Sequence, residues 1–180
     1  MKDFPLPLLG FCAWSGTGKT TLLSRLIPLL RRRGLRPAIV KHAHHDFDID
    51  KPGKDSWKLR HAGASQTVVA SRNRAALIRE YDDGRPEPSL ADSLRLLDPD
   101  TLDLVLVEGF KHEPFAKIEL HRPAMGRDLI CAEVPEVIAV ASDAPVTLPR
   151  PLPLLDLNDP PAIADFVLQS LDKPLPRVAP

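Results

Sequence analysis

The sequence predicts an α/β protein of three layers, a mostly parallel central sheet flanked by helices, on three observations. Residues 6–13 and 102–107 are apolar runs without polar alternation, as expected of strands buried on both faces of a parallel sheet. Between residues 6–13 and a further apolar run at 36–41 stand leucines at helical spacing, which makes a strand–helix–strand unit with a right-handed crossover. Glycine, lysine and threonine crowd the first strand-to-helix turn.

In the helix expected over 20–33, Leu22, Leu23, Leu26, Ile27 and Leu30 define the face to be buried. Arg31, Arg32 and Arg33 set positive charge against its negative dipole end, and Gly34 permits a left-handed stop. Pro28 removes one helical hydrogen bond and predicts a bend. A strand at 36–41, a polar loop at 42–54 and a short helix at 55–61 follow. Residues 66–71 and 75–80 read as a β-hairpin extension with Arg72-Asn73 at its tip. Residues 82–88 are a loop, and Ser89 predicts a cap for a helix over 90–97, with Asp92 in its first turn. Strands are expected at 102–107, 117–121 and 136–141, then a closing helix over 160–171 capped by Asp159, with Pro160 at its first position. The layout is one domain over 1–171 and a proline-rich, disordered tail over 172–180.

A chain of 180 residues buries a core without staples. Its 20 prolines cluster late and predict turns there. Lys plus Arg equals Asp plus Glu at 24 each, so net charge supports neither a nucleic-acid partner nor a membrane surface, and anion recognition must be local. Cys12 and Cys131 are too few for a disulfide framework and lack metal-ligand spacing; Cys12 reads as a buried, reduced thiol. Met1–Trp14 has neither the length nor the flanks of a signal sequence, and no run approaches the roughly 20 apolar residues of a membrane span. The expected location is cytoplasmic.

The glycine-rich turn reads AWSGTGKT over 13–20, a phosphate-binding loop (P-loop) with Ala13 at the first glycine position. Ser15, Gly16, Thr17 and Gly18 would let consecutive N–H groups converge on one phosphate at a helix N-terminus. Lys19 reaches the β- and γ-phosphates, Thr20 ligates Mg²⁺, and Thr21 meets the α-phosphate. A second acid ending a buried strand approaches such a metal through water, and Glu108 fits, with Gly109 leaving room for the γ-phosphate. Lys19 and Glu108 are thus the candidate catalytic residues of a P-loop NTPase fold.

Residues 41–56 read KHAHHDFDIDKPGKDS. The Asp46, Asp48, Asp50 spacing opens like a calcium loop, but Lys51 and Trp57 stand where Gly and Glu are needed. His42, His44 and His45 suit zinc by type, without a second ligand pair at a usual spacing. The loop leaves the carboxyl end of the second strand, on the ligand-binding edge of an open α/β sheet. Asp48 or Asp50 is therefore a candidate for the Mg²⁺ shell, with Asp50 carried forward, and Lys41, His42, Lys51, Lys54 and Arg60 for a second anion site.

AWSGTGKTTLL, IVKHAHHDFDIDKPGKDSWKLRHAGA and LVLVEGFKHEPFAKIEL together resemble the B protein of molybdopterin-guanine dinucleotide biosynthesis (the MobB family), from about residue 6 to 170. The resemblance implies GTP binding with weak hydrolysis, a homodimer, and work beside the guanylyltransferase and molybdenum-insertion proteins of that pathway, with molybdopterin itself a candidate ligand. Gly16 to Thr21 match the family's phosphate and magnesium site, and Glu108 its second acid. No Asn-Lys-x-Asp stands in the chain; Asp143, after the strand at 136–141, is the first candidate to accept both guanine N–H groups, and Asn158 the second. No glutamine that orients water and no arginine finger in cis is evident, so slow hydrolysis is the physical expectation. The alternative is an ATP-dependent small-molecule ligase or kinase of the same P-loop branch, although Trp14 replaces the extra lysine such relatives often carry. For a dimer interface the sequence offers the hairpin at 66–80 and the segment 115–130, read as further edge strands.

Overall fold

The computed structural model describes residues 4–43, 47–81, 84 and 87–172. They group into two compact units: residues 1–42 with 89–180, and residues 43–88. His44, His45 and Asp46 of the metal readings, and the proline-rich tail beyond Asp172, lie outside the described residues.

The larger unit is built on a six-stranded sheet whose strand pairs all run parallel. Its strands are β1 (Leu8–Cys12), β2 (Pro37–Lys41), β5 (Leu104–Glu108), β6 (Lys117–His121), β7 (Val137–Ser142) and β8 (Leu154–Asp156), in the order β2-β5-β1-β6-β7-β8. The expected strands are present within a few residues of their predicted bounds. β8 carries no sequence signal strong enough to predict it: three residues between prolines are too short for a periodic pattern.

Period two along the strands divides the core. On one face Leu9, Phe11, Leu104, Leu106, Ile118 and Leu120 pack against α1 (Lys19–Arg32) and α4 (Pro160–Asp172), which lie side by side. α1 runs through Pro28 and buries the predicted Leu22, Leu23, Leu26 and Leu30. On the other face Val40, Val105 and Val107 meet Leu90 and Leu94 of α3 (Leu90–Leu94). Farther along that face Cys12, Val137 and Val140 meet Ile130, Cys131 and Val134. Ser89 caps α3 as expected, in a reciprocal box with Asp92, but the helix stops at Leu94 instead of 97.

Segment 115–130 supplies no edge strand, which corrects the expectation of one there. β6 lies inside the sheet between β1 and β7, and all five of its residues are buried. Its second face is charged. The buried Glu119 carboxylate accepts N–H bonds from Ile130 and Cys131, both at 2.8 Å, and so holds the covering segment down.

The smaller unit holds α2 (Asp55–His61) and an antiparallel hairpin, β3 (Gln66–Ser71) with β4 (Arg74–Arg79). Arg60 fastens it, donating to Asp48 and to Glu80 at 2.7 Å. In register, Val68 faces Leu77 and Ala70 faces Ala75, so one side of the hairpin is an apolar stripe. Val68 is 68% exposed and Leu77 45%.

Candidate functional site

The loop between β1 and α1 is shaped by Gly16 and Gly18, at φ 81° and 105°. Gly18 is the N-cap residue of α1, in a left-handed conformation that costs an L side chain roughly 1–2 kcal/mol. No side chain caps this terminus and no acid stands in its first turn. The N–H groups at this positive dipole end are therefore uncompensated, an arrangement suited to an anion. Thr17 is buried and closes the turn, its hydroxyl donating to the Trp14 carbonyl at 2.8 Å. Lys19 Nζ folds back along the loop and donates to the Ala13 carbonyl at 3.0 Å. Ser15, Gly16, Thr20 and Thr21 are exposed along the same turn.

Glu108 is the last residue of β5, in register with Phe11 of β1 on one side and Lys41 of β2 on the other. This places the predicted second acid at the edge where the phosphate loop begins. The side chain is 14% exposed, and Lys41 Nζ stands 3.8 Å from its carboxylate. Lys41 thus answers Glu108 within this edge. Gly109, at φ 98°, allows a close crossing: a Cβ there would lie 2.6 Å from His42 Cβ. His42 donates its N–H to the Glu108 carbonyl at 2.9 Å and stacks its ring on Phe110, with centroids 4.7 Å apart. Phe110 itself sits at φ 51°, an uncommon conformation for a bulky residue that tends to cluster at functional sites.

Asp143 follows β7, and its carboxylate pairs with Arg122, the residue after β6. Arg122 Nε also donates to the Thr17 carbonyl at 2.8 Å. An arginine therefore touches the backbone of the phosphate loop, a contact the sequence does not announce. Asn158 is exposed and its backbone N–H is taken by Asp156. Asp50, Lys51 and Lys54 belong to the smaller unit. There Asp50 Oδ1 accepts from Lys51 N–H at 2.8 Å and from Ser56 Oγ at 3.1 Å, while its buried Oδ2 has no protein partner among the described residues.

Sequence reasoning also missed what surrounds the loop. Trp14 donates its indole N–H to the Asp128 carbonyl at 2.9 Å, and Lys111 and Arg127 stand over its ring. Burial pushes the Cys12 thiol up to about 12, with the Glu119 charge adding to the effect, so this cysteine is inert. No group of three His, Cys, Asp or Glu side chains among the described residues is arranged to hold a metal by itself.

A parallel sheet with the glycine-rich loop after a central strand and an acid ending the adjacent strand defines the P-loop NTPase class of fold. A family model described as molybdopterin guanine dinucleotide synthesis protein B matches residues 8–143. The molybdopterin-guanine dinucleotide biosynthesis adapter protein of Escherichia coli (strain K12) is 53% identical over 171 residues, 93% of this chain and 95% of that protein. The protein of the same description from Haemophilus influenzae is 47% identical over 164 residues, 90% of this chain and 88% of that protein. A crystal structure of molybdopterin-guanine biosynthesis protein B aligns with a TM-score of 0.72 at 29% identity, covering 92% of this chain and 99% of that one. The chain belongs to the molybdopterin guanine dinucleotide synthesis protein B family.

Proposed function

We propose that this protein is a GTP-binding adapter in molybdenum cofactor maturation, acting where GMP is attached to molybdopterin. The observation that carries the nucleotide part is the bare, left-handed start of α1 with Lys19 beside it. A triphosphate supplies the negative charge this terminus lacks, and Lys19 leaves the Ala13 carbonyl for the β- and γ-phosphates. Asp143 is read as the guanine acceptor. The adapter role rests on the relatives' description.

Hard oxygen donors suit Mg²⁺, and this edge offers two, the exposed Thr20 hydroxyl and the Glu108 carboxylate. Thr20 would hold the ion directly and Glu108 through water. The bound ion would neutralise phosphate charge. The chain's own residues bind and orient the triphosphate, and hydrolysis is slow. Within the smaller unit Lys51 and Lys54 remain candidates for a second anion, with molybdopterin phosphate the reading that fits the family.

The uncovered hairpin stripe of Val68, Leu77, Ala70 and Ala75 supports a homodimer, since an isolated two-stranded hairpin is marginal in water. Isothermal titration of GTP, GDP and ATP with Mg²⁺ tests the central reading. GTP binds more tightly than ATP on this proposal, and equal affinities would count against it. Capture of the guanylyltransferase that strengthens when GTP is added would support the adapter role.

A further inference from the structure

We propose that Arg122 is the positioning residue that makes the base reader and the phosphate loop one site, so that guanine discrimination depends on it. The inference rests on the reading of Asp143 as the guanine acceptor. β6 lies between β1, which leads into the phosphate loop, and β7, which leads into Asp143. A residue at the end of β6 is therefore the shortest bridge between the two. Arg122 stands there and uses separate arms of its guanidinium for each neighbour. Nε donates to the Thr17 carbonyl at 2.8 Å, and Nη1 pairs with Asp143 Oδ2. Nη2 lies close to Gly18, 3.7 Å from where a Cβ would stand.

Two physical consequences follow. A trans peptide points its C=O and its N–H in opposite directions, so holding the Thr17 carbonyl also fixes the Gly18 N–H within the phosphate loop. On the other side, a carboxylate has about four acceptor positions, and the one given to Arg122 leaves both oxygens able to accept from guanine N1–H and N2–H. The rigid, planar fork fixes the rotamer in which they do so. Adenine presents an acceptor at N1, which that carboxylate rejects. With Arg122 35% and Asp143 22% exposed, the pair is screened less than an open surface pair.

Calorimetric titration of GTP, ATP and pyrophosphate with Mg²⁺ against the full chain and its R122Q, R122K, D143N and R122Q/D143N variants tests this. The full chain prefers GTP over ATP. R122Q and D143N each cut that preference on the order of tenfold, and the double variant loses no more than either alone. R122K recovers part of it. Pyrophosphate affinity falls in R122Q and stays level in D143N. If R122Q weakens GTP and ATP equally and keeps the preference, Arg122 merely braces the loop and the proposal is overturned. If D143N keeps the preference, the base reader itself is wrong and the proposal falls with it, an outcome distinct from loss in D143N alone. Far-UV circular dichroism checks folding; should R122Q fail to fold, the preference measured in R122K decides.

Discussion

Lys19 illustrates how surroundings set an ordinary side chain where the proposed phosphate would lie. Its ammonium occupies a carbonyl of its own loop, so it is pre-placed at the helix terminus before any phosphate arrives. Replacing it, Lys19→Ala, is expected to lower triphosphate affinity on the order of a hundredfold by calorimetry without lowering the melting temperature. The thiols give a second check at this scale. Burial holds Cys12 at about 12 and Cys131 at about 11, so neither is a thiolate at pH 8. A colorimetric thiol reagent is expected to find none in the native protein and both in denaturant. The placement of Lys19 and Thr20 was legible because strand, glycine turn and lysine stand in one contiguous word, and that of Glu108 because it ends a second apolar run. Arg122 was not, because its meaning depends on which strands are neighbours, and neither its flanks nor its spacing encode that order.

Among elements, β6 is the most instructive. A fully buried strand was expected to read as an apolar run, yet this one carries Lys117, Glu119 and His121 on one face. Such a polar period is not how a strand buried on both faces ordinarily reads. Lys117 and Glu119 are tolerated there because each is answered: Lys117 Nζ by the Phe115 carbonyl at 2.9 Å, Glu119 by the Ile130 and Cys131 amides. Glu119→Ala strands those two amides and is expected to cost about 3 kcal/mol in denaturant unfolding, because buried donors lose a charged acceptor. β2 and β5 are tied differently. Arg36 donates to Asp103 through Nε, Nη2 and its backbone N–H at 2.7–3.0 Å. These bonds lower the Asp103 carboxyl from 3.8 to about 2. A depressed acid contributes stability above its unfolded value and loses it as pH falls toward the folded one. The pH dependence of thermal unfolding between 4 and 2 is therefore expected to flatten in Asp103→Asn.

For the whole molecule, the sheet order was only partly readable. Parallel character followed from two apolar runs, but β8 is too short to announce itself, and the hairpin stood out without showing that residues 43–88 form their own compact unit. The hairpin's apolar stripe gives the prediction that belongs here. Val68→Asp places charge in the middle of the proposed contact, and sedimentation equilibrium is expected to shift from twice the chain mass to one; an unchanged mass would remove the hairpin from the interface.

The strand order has one more consequence, for the order of assembly during synthesis. β1 and the turn after it leave the ribosome before the strands on either side of β1, which come from residues 104–108 and 117–121. Until residue 121 has been made, the glycine-rich loop has no walls, and closing such distant pairs is slow compared with local structure. Nucleotide affinity should accordingly be among the last properties a nascent or refolding chain acquires, which makes it a reporter of completed folding.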